Sequence, residues 1–268
     1  MARRARVDAE LVRRGLARSR QQAAELIGAG LVSIDGMPAA KAATAIAVDA
    51  NLTVTAAERT WVSRGAHKLI GALSAFGISA DGRRCLDAGA STGGFTEVLL
   101  DRGAREVVAV DVGYGQLAWS LRSDERVTVL ERTNVREITA ETIGGPVDLV
   151  VADLSFISLG TVLPALTACA SPDADIVPMV KPQFEVGKGR VGPGGVVSEP
   201  GLRAEAVLQV AHRAAELGWH AAGVTASPLP GPSGNVEYFL WLRSGADGAL
   251  SEGDLEHAVT RAVTEGPQ

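Results

Sequence analysis

Three charged residues fall at strand boundaries, Asp153, Lys181 and Glu237, and a fourth, Lys68, precedes the first strand. Ammonium and carboxylate groups gathered at one edge can hold a hydroxyl, orient it and move its proton. Such general acid–base work is worth about 10²–10⁴-fold in rate. Each residue alone reads as a solvated surface charge; several at one crevice need a site to explain them. A second constellation is the run Asp87-Ala88-Gly89-Ala90-Ser91-Thr92-Gly93-Gly94-Phe95, with Asp111 further on. A glycine-rich turn lets backbone approach a ligand, and a carboxylate ending the next strand can hold ribose hydroxyls. The turn is not Gly-x-Gly-x-x-Gly, because position 91 is Ser, and Gly187-Lys188-Gly189 lacks the strand and spacing of a phosphate-binding loop. Cys85 and Cys169 are too few for a disulfide framework or a four-ligand zinc site, and four scattered histidines add no metal cluster.

The elements that must position these groups alternate strand and helix. Arg84–Ala88, Glu106–Asp111, Val127–Leu130, Asp148–Ala152 and Asp175–Val180 are near-continuous apolar runs, as expected of a parallel sheet covered on both faces. A helix over Phe95–Arg102 follows the first strand, and Lys68 lies on a helix before it. Glu237–Leu242 is a late strand after the turn-rich stretch Ser227–Gly234, with no clear helix between. The spacing therefore predicts an antiparallel addition, whose start would lie at the edge where the parallel strands end. A final helix covers about Glu252–Thr264. The whole is a doubly wound, Rossmann-like α/β sheet with one reversed strand, spanning residues 63–268.

The charge is uneven along the chain. Residues 1–60 hold nine Lys/Arg against six Asp/Glu, and the remainder 17 against 25. A basic N-terminal piece on an acidic body points to a nucleic-acid-binding appendage. Asp8 can cap a short helix with Leu11 and Val12, and Ser19-Arg20-Gln21-Gln22 has capping-box spacing at the start of a second helix to Gly28. Leu31–Ile34, the turn Asp35-Gly36 and Leu52–Val54 supply small β elements. Residues 1–59 thus read as a compact α+β module. It has no Phe, Tyr or Trp, and so no platform for stacking splayed bases. It should recognise folded RNA by backbone and shape, with Arg18 and Arg20 beside a helix start that favours phosphate. Residues 60–62 form a short linker without Gly or Pro, where Trp61 is expected to dock the two domains.

No apolar run approaches the roughly 18–20 residues that span a bilayer, and no apolar segment follows the basic start Met1–Arg6. A reduced, cytoplasmic, metal-free protein is expected.

Residues 5–54, with Leu16-Ala17-Arg18-Ser19-Arg20-Gln21-Gln22-Ala23 and Gly30-Leu31-Val32-Ser33-Ile34-Asp35-Gly36, resemble the S4 RNA-binding domain. The Asp-x-Gly-x-x-x-Gly-Gly-Phe turn with its later acid resembles the S-adenosylmethionine-binding turn of class I methyltransferases. Among those, a cytosine C5 enzyme needs a nucleophilic cysteine, and neither Cys85 nor Cys169 ends a strand. Base-amino enzymes carry an Asn/Asp-Pro-Pro-Tyr/Phe turn where this chain has Asp153-Leu154-Ser155-Phe156. Lys68, Asp153, Lys181 and Glu237 instead resemble the tetrad of FtsJ-like ribose 2'-O-methyltransferases. With the S4 module, residues 3–265 are similar to the TlyA (haemolysin A) family of ribosomal RNA 2'-O-methyltransferases, with Asp-Val-Gly-Tyr-Gly-Gln-Leu (111–117) and Lys-Pro-Gln-Phe-Glu (181–185) intact.

The resemblance implies S-adenosylmethionine held by Asp87, Gly89, Ala90, Ser91, Thr92, Gly93, Gly94, Phe95, Asp111, Asn134 and Asp153. It implies ribosomal RNA in ribosomal subunits as partner, with cytidines of 16S and 23S RNA as substrates. Lys181 would be the base, or would hold and polarise the hydroxyl while another group takes the proton. Lys68 favours proton loss there, whereas Asp153 and Glu237 oppose it. Arg4, Arg6, Arg18 and Arg20 would contact phosphates, joined by Lys188 and Arg190 in the glycine-rich stretch 185–200, expected to be a mobile lid. Two rival readings are a membrane-active haemolysin and a non-catalytic ribosome-assembly factor that keeps the cofactor fold.

Replacing Arg18 and Arg20 together by Ala is expected to weaken RNA binding and to leave S-adenosylmethionine binding unchanged. Filter binding of RNA and calorimetric titration of S-adenosylmethionine check this; unchanged RNA affinity would overturn it.

Overall fold

The computed structural model describes residues 4–55 and 60–267, in two compact units that divide after Thr60. The expected boundary at residue 59 falls outside the described residues. In the first unit, strand β1 (Arg4–Arg6) leads into helix α1 (Val7–Arg13) and helix α2 (Arg20–Gly28). Ser19 caps α2 by accepting from the Gln22 N–H at 3.2 Å, and Gly30 ends the helical run at φ +73°. Strands β2 (Val32–Ile34), β3 (Met37–Pro38), β4 (Ala45–Ala47) and β5 (Leu52–Val54) follow. They form a sheet in the order β3-β2-β5 and a separate β1-β4 pair. Asp35 and Gly36 both have positive φ, as a two-residue hairpin turn requires. Val7, Leu11, Ala23, Ile27 and Val32 form this unit's own core. Two details differ from expectation. Arg4 and Arg6 lie on a strand, which three residues are too short to announce. Asp8 does not cap α1, whose N-cap is Arg6 without a side-chain bond; Asp8 is buried and turned onto arginines.

The second unit opens with helix α3 (Gly65–Phe76), then β6 (Arg84–Ala88), α4 (Gly94–Asp101), β7 (Glu106–Val110), α5 (Trp119–Arg122) and β8 (Val127–Leu130). It continues with β9 (Val147–Ala152), α6 (Leu159–Cys169), β10 (Ala170–Val180), α7 (Pro182–Glu185), α8 (Pro200–Ala215), β11 (Trp219–Ala226), β12 (Tyr238–Ser244) and α9 (Glu252–Glu265). One seven-stranded sheet runs β11-β12-β10-β9-β6-β7-β8. Only β12 is reversed: it pairs antiparallel with both β10 and β11. Alternate residues feed opposite faces. Leu86, Val108 and Val150 join the cluster under α6, α8 and α9, while Cys85, Val107 and Leu149 join the cluster under α3 and α4. Both faces are covered, so the strands read as unbroken apolar runs. Trp61 packs against the second cluster, the core of its own unit.

The sequence reading passed over β11 and α8. β11 is an edge strand with an irregularity near Ala222 and four small residues among its eight, so it lacks the Val/Ile density of its neighbours. α8 does carry a signal: Pro200 begins it, and Ala206, Val207, Val210, Ala211 and Ala214 recur at helical spacing.

The strand order reverses between β6 and β9, which places a crevice beyond their carboxyl ends. The opposite end is tied by Arg84. Its guanidinium donates to Glu106 at 2.8 and 3.0 Å and to the carbonyls of Gly145 at 2.7 Å and Ile143 at 2.5 Å. Arg84→Ala strands these acceptors and is expected to cost ~2–4 kcal/mol. Thermal unfolding should read this as a drop in Tm of about 5–12 °C. Ligand binding at the far crevice should be unchanged below the transition.

Candidate active site

The crevice is built by turns pressed together. Gly89 follows β6 with φ +90°, and a Cβ there would overlap the carbonyl oxygen of Asp153. The Asp153 N–H in turn donates to the Ala88 carbonyl at 3.0 Å. Only glycine satisfies both the backbone angle and the close approach. Asp111, just past β7, accepts the Ser91 N–H at 2.8 Å and the Gly113 N–H at 2.6 Å, tying the loops after β6 and β7 together.

Four elements bring charge to this edge. Lys68 comes from α3 and Glu237 from the residue before β12; Lys68 Nζ lies 2.5 Å from Glu237 Oε2, with both side chains almost fully buried. Lys181 follows β10, and its Nζ lies 2.6 Å from Asp153 Oδ1 and donates to Ser155 Oγ at 3.0 Å. All four line one cavity of about 300 Å³, with Ser63, Arg64 and the backbone of the glycine turn. A second cavity of about 470 Å³ is lined by Asp111, Val112, Gln116, Asn134 and Phe156 among others. The two share Gly89, Ser91, Asp153 and Ser155.

Ala90, Thr92, Gly94 and Phe95 also line the first cavity. Asp87 and Gly93 line neither and stand behind the wall. Gly93, at φ +99°, is packed against Leu117 and Leu121. Asp87 is fully buried; Thr96 donates to its Oδ2 at 2.6 Å, while Oδ1 has no partner. Burial, aided by the charges of Asp153 and Asp111 and opposed by Thr96, pushes its carboxyl up to about 7.

The loops after β9 and β10 are joined in three places, two of which the sequence reading missed. Beyond Lys181 with Asp153 and Ser155, the rings of Phe156 and Phe184 meet at 5.4 Å. Glu185 then accepts the Ser158 hydroxyl at 2.6 Å and the Leu159 N–H at 2.8 Å at the start of α6. Burial pushes the Glu185 carboxyl up, against the two bonds that favour its charge. These ties bracket Phe156, which is 91% exposed and held at φ +64°. A non-glycine residue there stores strain that its surroundings must hold. Ser155 stood in the sequence beside Asp153, but a hydroxyl has no spacing that marks it.

The residues expected to meet RNA are distributed differently. Arg4, Arg6, Arg18 and Arg20 are exposed on the first unit, and Asp8 brings Arg6 and Arg20 together. Arg190, exposed, donates to Glu205 and to the Val186 carbonyl, and the Lys188 side chain lies outside the described residues. The stretch 185–200 is held rather than hanging free. Val186 and Val197 are buried, and Asn235 accepts the Val197 N–H at 2.9 Å and donates to the Gly195 carbonyl at 2.8 Å.

The FtsJ-like methyltransferase family matches residues 61–244, and the S4 domain matches residues 5–50. The 16S/23S rRNA (cytidine-2'-O)-methyltransferase TlyA of Mycobacterium tuberculosis is 77% identical over 268 residues, covering 100% of both chains. The chain belongs to the TlyA family of FtsJ-like methyltransferases. A further member by sequence, YqxC of Bacillus subtilis, provisionally an rRNA methyltransferase, is 41% identical over 97% of this chain and 93% of its own. A solved structure of a candidate hemolysin from Streptococcus thermophilus has a TM-score of 0.72 and 35% identity, covering 99% of this chain and 98% of that one. Among the described residues of this TlyA-family chain, no helix is long and apolar enough to cross a membrane. Nor does any group of three or more His, Cys, Asp or Glu stand ready for a metal ion.

Asp87 gives this site a pH signature. Its folded-state carboxyl sits near 7 against an ordinary 3.8, so the folded chain binds the proton more tightly than the unfolded one. That contribution is fully present below pH 3.8 and is lost as pH rises towards 7. Asp87→Asn is expected to flatten the fall in unfolding free energy across this window, as denaturant titrations at stepped pH would record.

Proposed function

We propose that this chain transfers a methyl group from S-adenosylmethionine to the ribose 2'-hydroxyl of cytidines in 16S and 23S ribosomal RNA, acting on ribosomal subunits in the cytoplasm. The observation that carries the reading is the pairing of Lys68 with Glu237 and Lys181 with Asp153 in the wall of one cavity beside the glycine turn. The 77% identical relative, whose name states the same reaction, supports it.

The residues present fit the cofactor. Gly89 lets the turn close onto the Asp153 backbone where it lines both cavities, Asp111 can accept ribose hydroxyls, and Asp153 offers a carboxylate to a sulfonium. When bound, S-adenosylmethionine supplies an activated methyl group on a positively charged sulfur. Gly89, Ser91, Asp111, Asn134 and Asp153 would hold it, with Ala90, Thr92, Gly94 and Phe95 shaping the turn and Asp87 and Gly93 supporting from behind.

The chain's own work is to place the hydroxyl. Lys181 Nζ carries three N–H donors as an ammonium; Asp153 and Ser155 take two, and the third is left for the 2'-oxygen. Lys68, fixed by Glu237, adds positive charge where the oxygen becomes nucleophilic. With Lys181 holding the 2'-oxygen as an ammonium, the hydroxyl proton passes to water as the oxygen takes the methyl group. A covalent route through cysteine has no nucleophile here: Cys85 lies inside β6, and burial pushes its thiol up to about 12.

Incubating ribosomal subunits with labelled S-adenosylmethionine should place label on cytidines, as 2'-O-methylnucleosides that resist alkaline cleavage. Lys181→Ala should lower this transfer by about 10² or more with RNA and cofactor binding retained. A base-methylated product, or near-normal turnover in Lys181→Ala, contradicts the proposal.

A further inference from the structure

The first unit holds two buried carboxylates on α1, and they are used differently. Glu10 binds Arg13 Nε at 2.8 Å and Arg14 Nε at 2.8 Å, and Arg14 is further spent on the carbonyls of Val48 and Ala50. Asp8 binds Arg6 through two bonds, Nε to Oδ1 at 3.0 Å and Nη2 to Oδ2 at 2.8 Å, and Arg20 through Nη2 to Oδ2 at 2.9 Å. Arg6 comes from β1 and Arg20 from the first residue of α2, so one carboxylate joins two elements. The Asp8 side chain is only 6% exposed, whereas those of Arg6 and Arg20 are 50% and 59% exposed.

We propose that Asp8 is a positioning residue for RNA: it sets Arg6 and Arg20 side by side as a clamp for the phosphate backbone of folded RNA. The inference rests on the reading of the first unit as an RNA-binding module. A guanidinium has five N–H donors. Asp8 takes two from Arg6 and one from Arg20, leaving donors on both that no other described side chain of the unit claims. The remaining charge of the trio is positive, and its anion is buried while its cations face outward. Two long side chains held in one place lose less freedom on gripping a phosphate than two that roam. The bonds from Arg6 and Arg20 also hold the Asp8 carboxyl well below the usual range, so the trio stays charged throughout the neutral range.

The test turns on a sign. Near a polyanion, removing a carboxylate strengthens binding if charge alone matters. Here Asp8→Asn, in the full chain, is expected to weaken binding to ribosomal RNA by about five- to tenfold. It should also reduce the slope of log K against log salt by about one phosphate contact. S-adenosylmethionine affinity and Tm serve as fold readouts. Glu10→Gln, the matched loss of a buried anion on the same helix, should leave RNA affinity unchanged or raise it. Unchanged or tighter RNA binding in Asp8→Asn overturns the clamp, as does an equal loss in Glu10→Gln, which would mark a general effect on the fold. The parent reading fails separately, if Arg6→Ala and Arg20→Ala both leave RNA affinity intact.

Discussion

A charge taken out of water must be paired or neutralised, and this requirement organises the second unit. Lys68 and Glu237 are buried together, and Lys181 is nearly so with Asp153. Each pair joins elements distant in the chain: α3 with the start of β12, and the end of β10 with the end of β9. In the Lys68–Glu237 pair, removing one partner would leave an uncompensated buried charge costing about 3–5 kcal/mol. Well-packed apolar residues would fill the same space at no such risk, so the arrangement is better explained by what the groups do than by stability. It also needs the reversed strand. Were β12 parallel to its neighbours, Glu237 would sit at the opposite end of the sheet from Lys68.

Around these pairs the backbone is unusually constrained. The glycine turn after β6 is pressed onto the carbonyl of Asp153, and the same loop is then clamped by Lys181, Phe184 and Glu185. Three ties in a few residues account for Phe156 standing exposed at a backbone angle it would otherwise leave. The wall of the site is thereby stiff where the charges must be placed to within fractions of an ångström, and polar where it meets the cavities.

Much of this was legible in the sequence because burial on both faces leaves a strong mark. β6, β7, β8 and β9 appeared as apolar runs at nearly their true bounds, and Asp153, Lys181 and Glu237 were conspicuous because each adjoins a strand, whereas Lys68, on the preceding helix, by itself reads as a surface charge. β11 was not legible: at a sheet edge, small residues suffice. Nor were Ser155 and Glu185, whose roles come from contacts across loops. The N-terminal unit shows the same limit. Ser19 capped its helix as its spacing implied, whereas Asp8, equally well placed to cap, is drawn away by two arginines. Local pattern proposes a bond; a stronger partner elsewhere in the fold can outbid it.

The two cavities share one wall, and Asp153 is part of it. Its carboxylate faces a limited number of donors, so a molecule in one chamber that draws on it changes how firmly Lys181 is held in the other. Binding in the two chambers is then linked, and linkage is reciprocal: whatever one occupant does to the affinity of the second, the second does to the first. The coupling between the two chambers therefore passes through a single side chain.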